Sequence, residues 1–586
     1  MLKPRKAFLS KKNRIILLCV IIAALFSLCS CNRNEADVPP EEDTVVDVLP
    51  GYEKEESEEH ISDNMAWYRD YDPYKVIDFY LTVSEGNEGD SSNHTWEEIN
   101  EYSAYYYDDL GVERYKVEGI LQIDDGNGLG EGSFGYGEKT PNVTVQIRGQ
   151  TSSKSATKNY KIRVKSGKGE YNSQRTFALN KHVADPYRFI NKLAYDLLID
   201  VPQLLSAQTR FVRLHVKDLT SGSNVYEDYG IYTWVEQVNK TYLKNHGLDE
   251  RGQSYKVSFF EWTPDAPLLA TGDDFNETEF ERYIEIKGDE DNTKLQEVLK
   301  LIQNYNVPIT QIVDDYFDSE NLIYWFAFNI LIGNYDSGPR NCYLYSPLNS
   351  EKWYYIPWDH DAGFRYTYLK YKEHTEGDSW ERGATMYLGL NLYNRMMKET
   401  KYRTMLDDAV EELYSTVLNP ESVQKRMNRY AELIRDDIYE NKIDKTSPKV
   451  SIEKYDEFVA DLSHEITDNY NYYYESKNLP WPYFVDNPHK DDDGHLSITW
   501  GRSYDPNGEE IKYSYILARD CFFTDIVASE ENLMVPFVEL EAPAPGKYYV
   551  RVTATNESGL SMYNFDYFRN PHGGKIYGCL EFTIAE

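Results

Sequence analysis

Two short segments in the middle of the chain carry the side chains that chemistry would use. Asp336-Ser337-Gly338-Pro339-Arg340-Asn341 holds a carboxylate and an amide five positions apart, and Trp358-Asp359-His360-Asp361-Ala362-Gly363 holds two carboxylates two positions apart. At a strand end, residues two apart project the same way, so Asp359 and Asp361 would reach one divalent cation. Phosphoryl transfer asks for such a set: a carboxylate beside the attacking hydroxyl, metal ligands, and positive charge over the triphosphate. That charge is offered earlier, where Ile147-Arg148-Gly149-Gln150-Thr151-Ser152-Ser153 is followed by Lys158. A turn rich in glycine and hydroxyls can lay backbone N–H groups against phosphate, with Arg148 and Lys158 supplying charge. Each segment alone also has a plain reading. Asp, Asn and Gly cap ordinary turns, and a basic β-hairpin with a polar turn needs no ligand.

Residues this far apart in the chain need a frame to bring them together. From about residue 75 to 234 the pattern alternates, as in Val76–Val83, Val143–Arg148 and Arg210–Val216, which predicts strands separated by Gly-rich turns. One helix interrupts them at about Tyr187–Leu198, opened by Asp185-Pro186, with Phe189, Leu193 and Leu197 on one face. Beyond about residue 290 the period becomes helical. The segment from Ser319 to Ile332 is apolar nearly all round, with Asp318 placed to cap it, so it should be buried and carry the Asp336 segment to a fixed place. Further helices are expected over about 382–477. This predicts an α+β fold with a β-rich part at about 71–285 and a helical part at about 286–480. After Pro480-Trp481-Pro482, short strands such as Leu496–Trp500, Lys512–Leu517 and Tyr548–Asn556 predict a small β-sandwich over 485–586, which resembles a fibronectin type III domain.

Composition bounds the function. A formal charge of −36 excludes a general binder of nucleic acid polymers, which would need basic patches over phosphates. With 41% hydrophobic and 15% aromatic residues the chain is globular, and a disordered polymer is excluded. The start of the chain is basic to Arg14, then apolar from Ile15 to Leu28, too short a run to span a bilayer comfortably. It ends in Leu28-Cys29-Ser30-Cys31, which resembles a bacterial lipobox. The expectation is therefore a signal peptide at 1–30, lipidation of Cys31, an acidic tether at 31–70, and an exported protein held at the bacterial cell surface by its lipid anchor; an uncleaved signal anchor is the alternative. Outside the cell, Cys521 and Cys579 could pair, whereas Cys342 has no partner in sequence.

Taken in order, these segments resemble the CotH (spore coat protein H) kinase family. The family is marked by an Arg-Gly-Asn-x-Ser-like turn, a Lys-x-Tyr-Lys-like strand and a late Trp-Asp-x-Asp stretch. Here they stand as Arg148-Gly149-Gln150-Thr151-Ser152, Lys158-Asn159-Tyr160-Lys161 and Trp358-Asp359-His360-Asp361, with Asn191–Asp196 and Gly230–Glu236 between them. The resemblance implies an atypical, two-lobed protein-kinase-like core using ATP with Mg²⁺ or Mn²⁺. Lys158 would reach the phosphates beside Arg148, Gly149 and Ser152, Asp336 would act near the acceptor hydroxyl, and Asn341, Asp359 and Asp361 would hold metal. Glu236 would pair with Lys158, its plain reading being a solvent-facing strand end. Gln150, Thr157 and Ile190 depart from the family's usual residues. The activity implied is phosphorylation of Ser or Thr in surface or coat proteins; the alternative is a non-catalytic scaffold or adhesin that binds protein or polysaccharide.

Overall fold

The computed structural model describes residues 60–373, 379–439, 450–570 and 573–585. The signal peptide and the Cys31 lipidation site lie outside the described residues. Among those described, no helix is long and apolar enough to cross a membrane.

The chain divides into two compact units, one formed by residues 59–372 and 381–477, the other including 478–586. In the first, seven strands close into a barrel: β1 (Val76–Ser84), β2 (Val117–Asp124), β3 (Val143–Arg148), β4 (Asn159–Val164), β5 (Thr176–Asn180), β6 (Thr209–Asp218) and β7 (Glu227–Val235), in the order β1-β2-β3-β4-β5-β7-β6. All pairs are antiparallel except the closing one, where β1 runs parallel to β6 with Val76 opposite Phe211. The alternation seen in sequence has its cause here. Ile77, Phe79, Leu81 and Val83 point inward with Val143, Val145 and Ile147, while Asp78, Tyr80 and Thr82 point out. Closure leaves no strand edge open. Helices α1 (Trp96–Glu101) and α2 (Ala104–Leu110) bring Trp96, Ile99 and Tyr107 into the same core.

The expected helix appears as α3 (Ile190–Leu198), and every residue of it is buried. Asp185 organises its entry by accepting from the N–H groups of Tyr187 (2.7 Å) and Ile190 (3.0 Å). Helix α4 (Ser319–Leu331) is buried nearly all round, as its composition requires, and Asp318 caps it by accepting from Glu320 N (3.1 Å) and Asn321 N (3.2 Å). Helices α5 (Thr400–Ser415), α6 (Pro420–Tyr439) and α7 (His464–Ser476) follow.

Two expectations are corrected. The acidic tether does not extend to residue 70, because Ile61 and Tyr68 are buried and Asp63 bonds His246 at 2.6 Å, so apolar and paired groups fix this stretch to the domain. Nor does a boundary near residue 285 separate strands from helices. Strands β8 (Gln253–Val257), β9 (Ile284–Ile286), β10 (Cys342–Ser346) and β11 (Tyr354–Pro357) form one antiparallel sheet in the order β11-β10-β8-β9. Tyr343 and Leu344, on the far side of that boundary, pair with Lys256 and Tyr255.

Among the described residues the second unit has three sheets, and the two larger ones share a core. Leu496, Ile498, Trp500 and Val538 of one meet Tyr513, Leu517, Val550 and Val552 of the other. Cys521 and Cys579 are free thiols. Cys579 Sγ points at the Cys521 carbonyl oxygen, 3.9 Å away, and the two sulfurs, which could pair, are not bonded to each other.

Candidate functional site

The hairpin β10–β11 brings the two acidic segments together. Cys342 pairs with Pro357, so Asn341, just before β10, and Trp358, just after β11, leave the same end of the sheet. The Asp336 and Asp359 loops therefore emerge side by side. The Asp336 loop hangs from the C-terminal end of α4, where Gly333 takes φ +65 and its N–H reaches Ile330 O at 3.1 Å. Asn341 is left-handed at φ +58, and its Nδ2 donates to Asp336 O (2.9 Å) and Oδ2 (3.0 Å). Arg340 lies 3.5 Å from the same carboxylate. Asn341 Oδ1, the atom a cation would use, stays out of that bond.

Asp359 is also left-handed, at φ +56, so the second loop is not the continued strand expected of it. Its N–H donates to Tyr195 Oη at 3.1 Å, and the next N–H, of His360, donates to Asn191 Oδ1 at 2.9 Å. The His360 ring is buried, with Nδ1 facing Asn334 Nδ2 at 3.3 Å, and burial drives its pKa down to about 3. His360 is therefore a neutral structural ring between two acids. Phe364 N closes the loop onto Ile332 O at 2.8 Å.

The two carboxylates are held differently. Burial, then the neighbouring charge of Asp361, raises the pKa of Asp359 to about 7, with His182 and Arg148 opposing and Asp336 adding to the rise. Burial also acts upward on Asp361, but the hydrogen bond and charge of His182, then Arg365, outweigh it and hold Asp361 below the usual carboxylate range. His182 Nδ1 stands 3.9 Å from Asp361 Oδ2. Opposite them stands Arg148, its guanidinium bonded to Asn180 Oδ1 on the outer face of the barrel and within electrostatic reach of Asp359. Lys256 of β8 also feels Asp359, and Lys161 of β4 faces Arg148, Lys287 and Glu285. Among the described residues, no three His, Cys, Asp or Glu side chains converge closely enough to hold a metal by themselves.

The structure thus brings together Asp336, Asn341, Asp359, Asp361 and Arg148. It does not bring Lys158. That ammonium is buried, donates to Ser153 O at 2.7 Å, and has its pKa lowered by burial. Strand parity explains it: Lys158 falls on the inward side with Tyr160, Ile162 and Val164, whereas Asn159, Lys161 and Arg163 face outward in register with Arg148 and Gln146. The turn itself is tied up. Ser152 Oγ accepts from Asn159 Nδ2 (3.0 Å), Gly149 O accepts from Arg114 (3.1 Å), and a side chain on Gly149 would collide with Ser152 Oγ at 2.1 Å. Glu236 neither pairs with Lys158 nor faces solvent. It is wholly buried and accepts from Gln174 Nε2 (2.9 Å), Gln208 N (3.0 Å) and Trp67 Nε1 (3.2 Å), with His246 Nε2 at 3.3 Å.

Sequence reasoning missed His182 and gave no role to Asn191 and Tyr195 within the Asn191–Asp196 segment; all three stand more than a hundred and fifty residues before the loop they serve. It quoted Lys161 without a role, although parity with Arg148 marks it. The geometry defines a class first: a mixed helix-and-sheet protein with a half-buried acid pair facing a held arginine, Arg148, with lysines nearby. The family model described as CotH kinase protein matches residues 145–473, and the chain belongs to that family. The match runs from β3 to α7, leaving β1 and β2 of the barrel outside it. Among curated proteins, none matches the chain.

Proposed function

We propose that this chain is an atypical protein kinase working outside the cytoplasm, which transfers the γ-phosphoryl group of ATP to Ser or Thr of surface or coat proteins. The observation that supports it most is the convergence of the Asp336–Asn341 and Asp359–Asp361 loops at one end of a sheet, facing Arg148. The residues fit a nucleotide and a divalent ion. Two neighbouring carboxylates, one with its pKa raised by burial, are an arrangement that a bound cation relieves. Asp359, Asp361 and Asn341 Oδ1 would hold Mg²⁺ or Mn²⁺, which when bound supplies charge neutralisation at the phosphates. Arg148, Lys161 and Lys256 would bind the phosphate oxygens, taking the part that Lys158 cannot reach. Asp336 would orient the acceptor hydroxyl and take its proton, with Arg340 and Asn341 fixing the carboxylate. A lipid on Cys31 would keep the enzyme at the membrane, and the C-terminal fibronectin-like unit would serve partner binding.

One observation favours a second reading. The lysine expected at the phosphates is locked to a backbone carbonyl, which suits a non-catalytic surface scaffold or adhesin for protein or polysaccharide. The test is Mg²⁺-dependent ATP turnover or autophosphorylation by the chain lacking its first 31 residues. Turnover lost in Asp336→Ala and Asp359→Ala supports the kinase. A purified protein that neither binds nucleotide nor incorporates phosphate leaves the scaffold.

A further inference from the structure

Helix α3 bonds the backbone of Asp359 and His360 directly and reaches Asp361 only through His182. Tyr195 Oη accepts from the N–H of Asp359 at 3.1 Å, and Asn191 Oδ1 accepts from the N–H of His360 at 2.9 Å. The other end of the same amide, Asn191 Nδ2, meets His182 Nε2 at 3.4 Å, and the far nitrogen of that ring faces Asp361 at 3.9 Å. Asn191 and Tyr195 are four apart, so they occupy one face of the helix.

The adjoining face, again four apart, is anchored elsewhere. Lys192 Nζ donates to Asp196 Oδ2 (2.8 Å), Tyr71 Oη (2.9 Å) and Thr209 Oγ1 (3.2 Å), and Asp196 accepts from the hydroxyls of Tyr71 and of Tyr430 on α6. Arg426, also on α6, donates to Asp196 O at 2.7 Å. The helix is thus held on one side by the barrel and α6, and on the other it holds a turn whose first acid sits in the left-handed region that disfavours side chains.

We propose that α3 is the positioning helix of the site: Tyr195 and Asn191 hold the Asp359-His360-Asp361 turn in the shape that lets its two carboxylates share one divalent cation. Neither residue touches phosphate; each acts through the backbone of the turn, as supporting hydrogen bonds orient ligands in metal sites. This inference rests on the kinase reading for its purpose, but its measurements do not need turnover.

The test uses the chain lacking its first 31 residues, with Tyr195→Phe, which keeps the ring and removes the hydroxyl, and Asn191→Ala. Two readouts are taken without nucleotide: Mn²⁺ binding by calorimetry, and native-state hydrogen exchange at the amides of Asp359 and His360. The expectation is Mn²⁺ binding weakened about 10- to 100-fold in both variants, with faster exchange at Asp359 in Tyr195→Phe and at His360 in Asn191→Ala. In the presence of ATP, the Mg²⁺ needed for half-maximal turnover should rise by a similar factor, while the KM for ATP at saturating Mg²⁺ changes less. Wild-type Mn²⁺ affinity in Tyr195→Phe overturns the proposal, as does a wild-type protein that binds no Mn²⁺. If the wild type binds Mn²⁺ but never turns ATP over, the kinase reading fails, and the positioning role is decided by the binding and exchange data. Should Tyr195→Phe not fold, Asn191→Ala decides the same question at His360.

Discussion

Asp359 is the residue whose chemistry conflicts most with its surroundings. Its folded pKa stands at about 7, above the ordinary carboxylate value, so the neutral acid is favoured in the fold and the charged form is a burden. The sign follows directly: the carboxylate destabilises the apo protein as pH rises from about 4 through 7, and cation binding, which needs the charge, strengthens over the upper part of the same range. Asp359→Asn should therefore raise the melting temperature at pH 8 in the absence of metal while abolishing phosphate incorporation; a calorimetric scan and a kinase assay on one preparation check both. Arg148 and Lys158 separate at the same scale. Arg148→Ala should weaken ATP binding about tenfold or more, whereas Lys158→Ala should leave ATP affinity near wild type and lower stability by about 1–3 kcal/mol through the unsatisfied Ser153 carbonyl. Equilibrium dialysis with ATP and urea unfolding read these out. The acidic side chains were legible because their segments stand in order with the Arg148 turn and the Lys158 strand, although each segment alone has the composition of an ordinary turn. Lys158 was misread because a motif outweighed the two-residue alternation of its own strand, and Asn191 and Tyr195 were not legible because nothing local says which loop a buried helix will face.

Single contacts become cooperative at the level of elements. The segment around Ile61–Tyr71 is bound to the barrel through His246, whose ring is wholly buried between Asp63 (2.6 Å) and Glu236 (3.3 Å). Burial alone would lower the pKa of this imidazole, but the hydrogen bonds and charges of the two carboxylates carry it up to about 9. Because the folded value lies above the unfolded 6.5, the stabilisation is full below about pH 6.5 and is lost as pH rises through about 9. Thermal stability should fall between pH 7 and 10, and His246→Gln should flatten that dependence while costing about 3–5 kcal/mol at pH 6, since it leaves two buried acids without their cation. Melting curves across pH compare the two proteins. Helices α3 and α4 were legible as elements, with their apolar periods and the Asp185 and Asp318 entries. The network under Glu236 was not, since its members Asp63, Gln174, Gln208 and His246 share no pattern in sequence.

For the whole molecule, charge and topology dominate. A formal charge of −36 sets a field that repels free ATP, and the cations near Arg148 correct it only locally. Raising ionic strength from about 20 to 150 mM should therefore speed ATP association, the reverse of what a basic nucleotide site shows, because the Debye length shrinks to about 8 Å and hides the distant acids. Stopped-flow measurements with a fluorescent ATP analogue would show the slope. The α+β class was legible from the change of period along the chain. Barrel closure was not, because alternation tells which residues face inward but not which strands are neighbours. The sheet that joins β8 to β10 across the expected boundary escaped notice for the same reason.

The parallel pairing of β1 with β6 also constrains the order in which the protein can form. As the chain emerges from its N-terminal end, β1 can pair with β2 early, but the partner for its other edge follows only after about 130 residues, a separation that marks slow, high contact-order closure. Until then the row Val76 to Ser84 presents an open strand edge beside apolar side chains, a template for pairing with another copy. A stalled or truncated chain ending before residue 209 should therefore aggregate through this stretch.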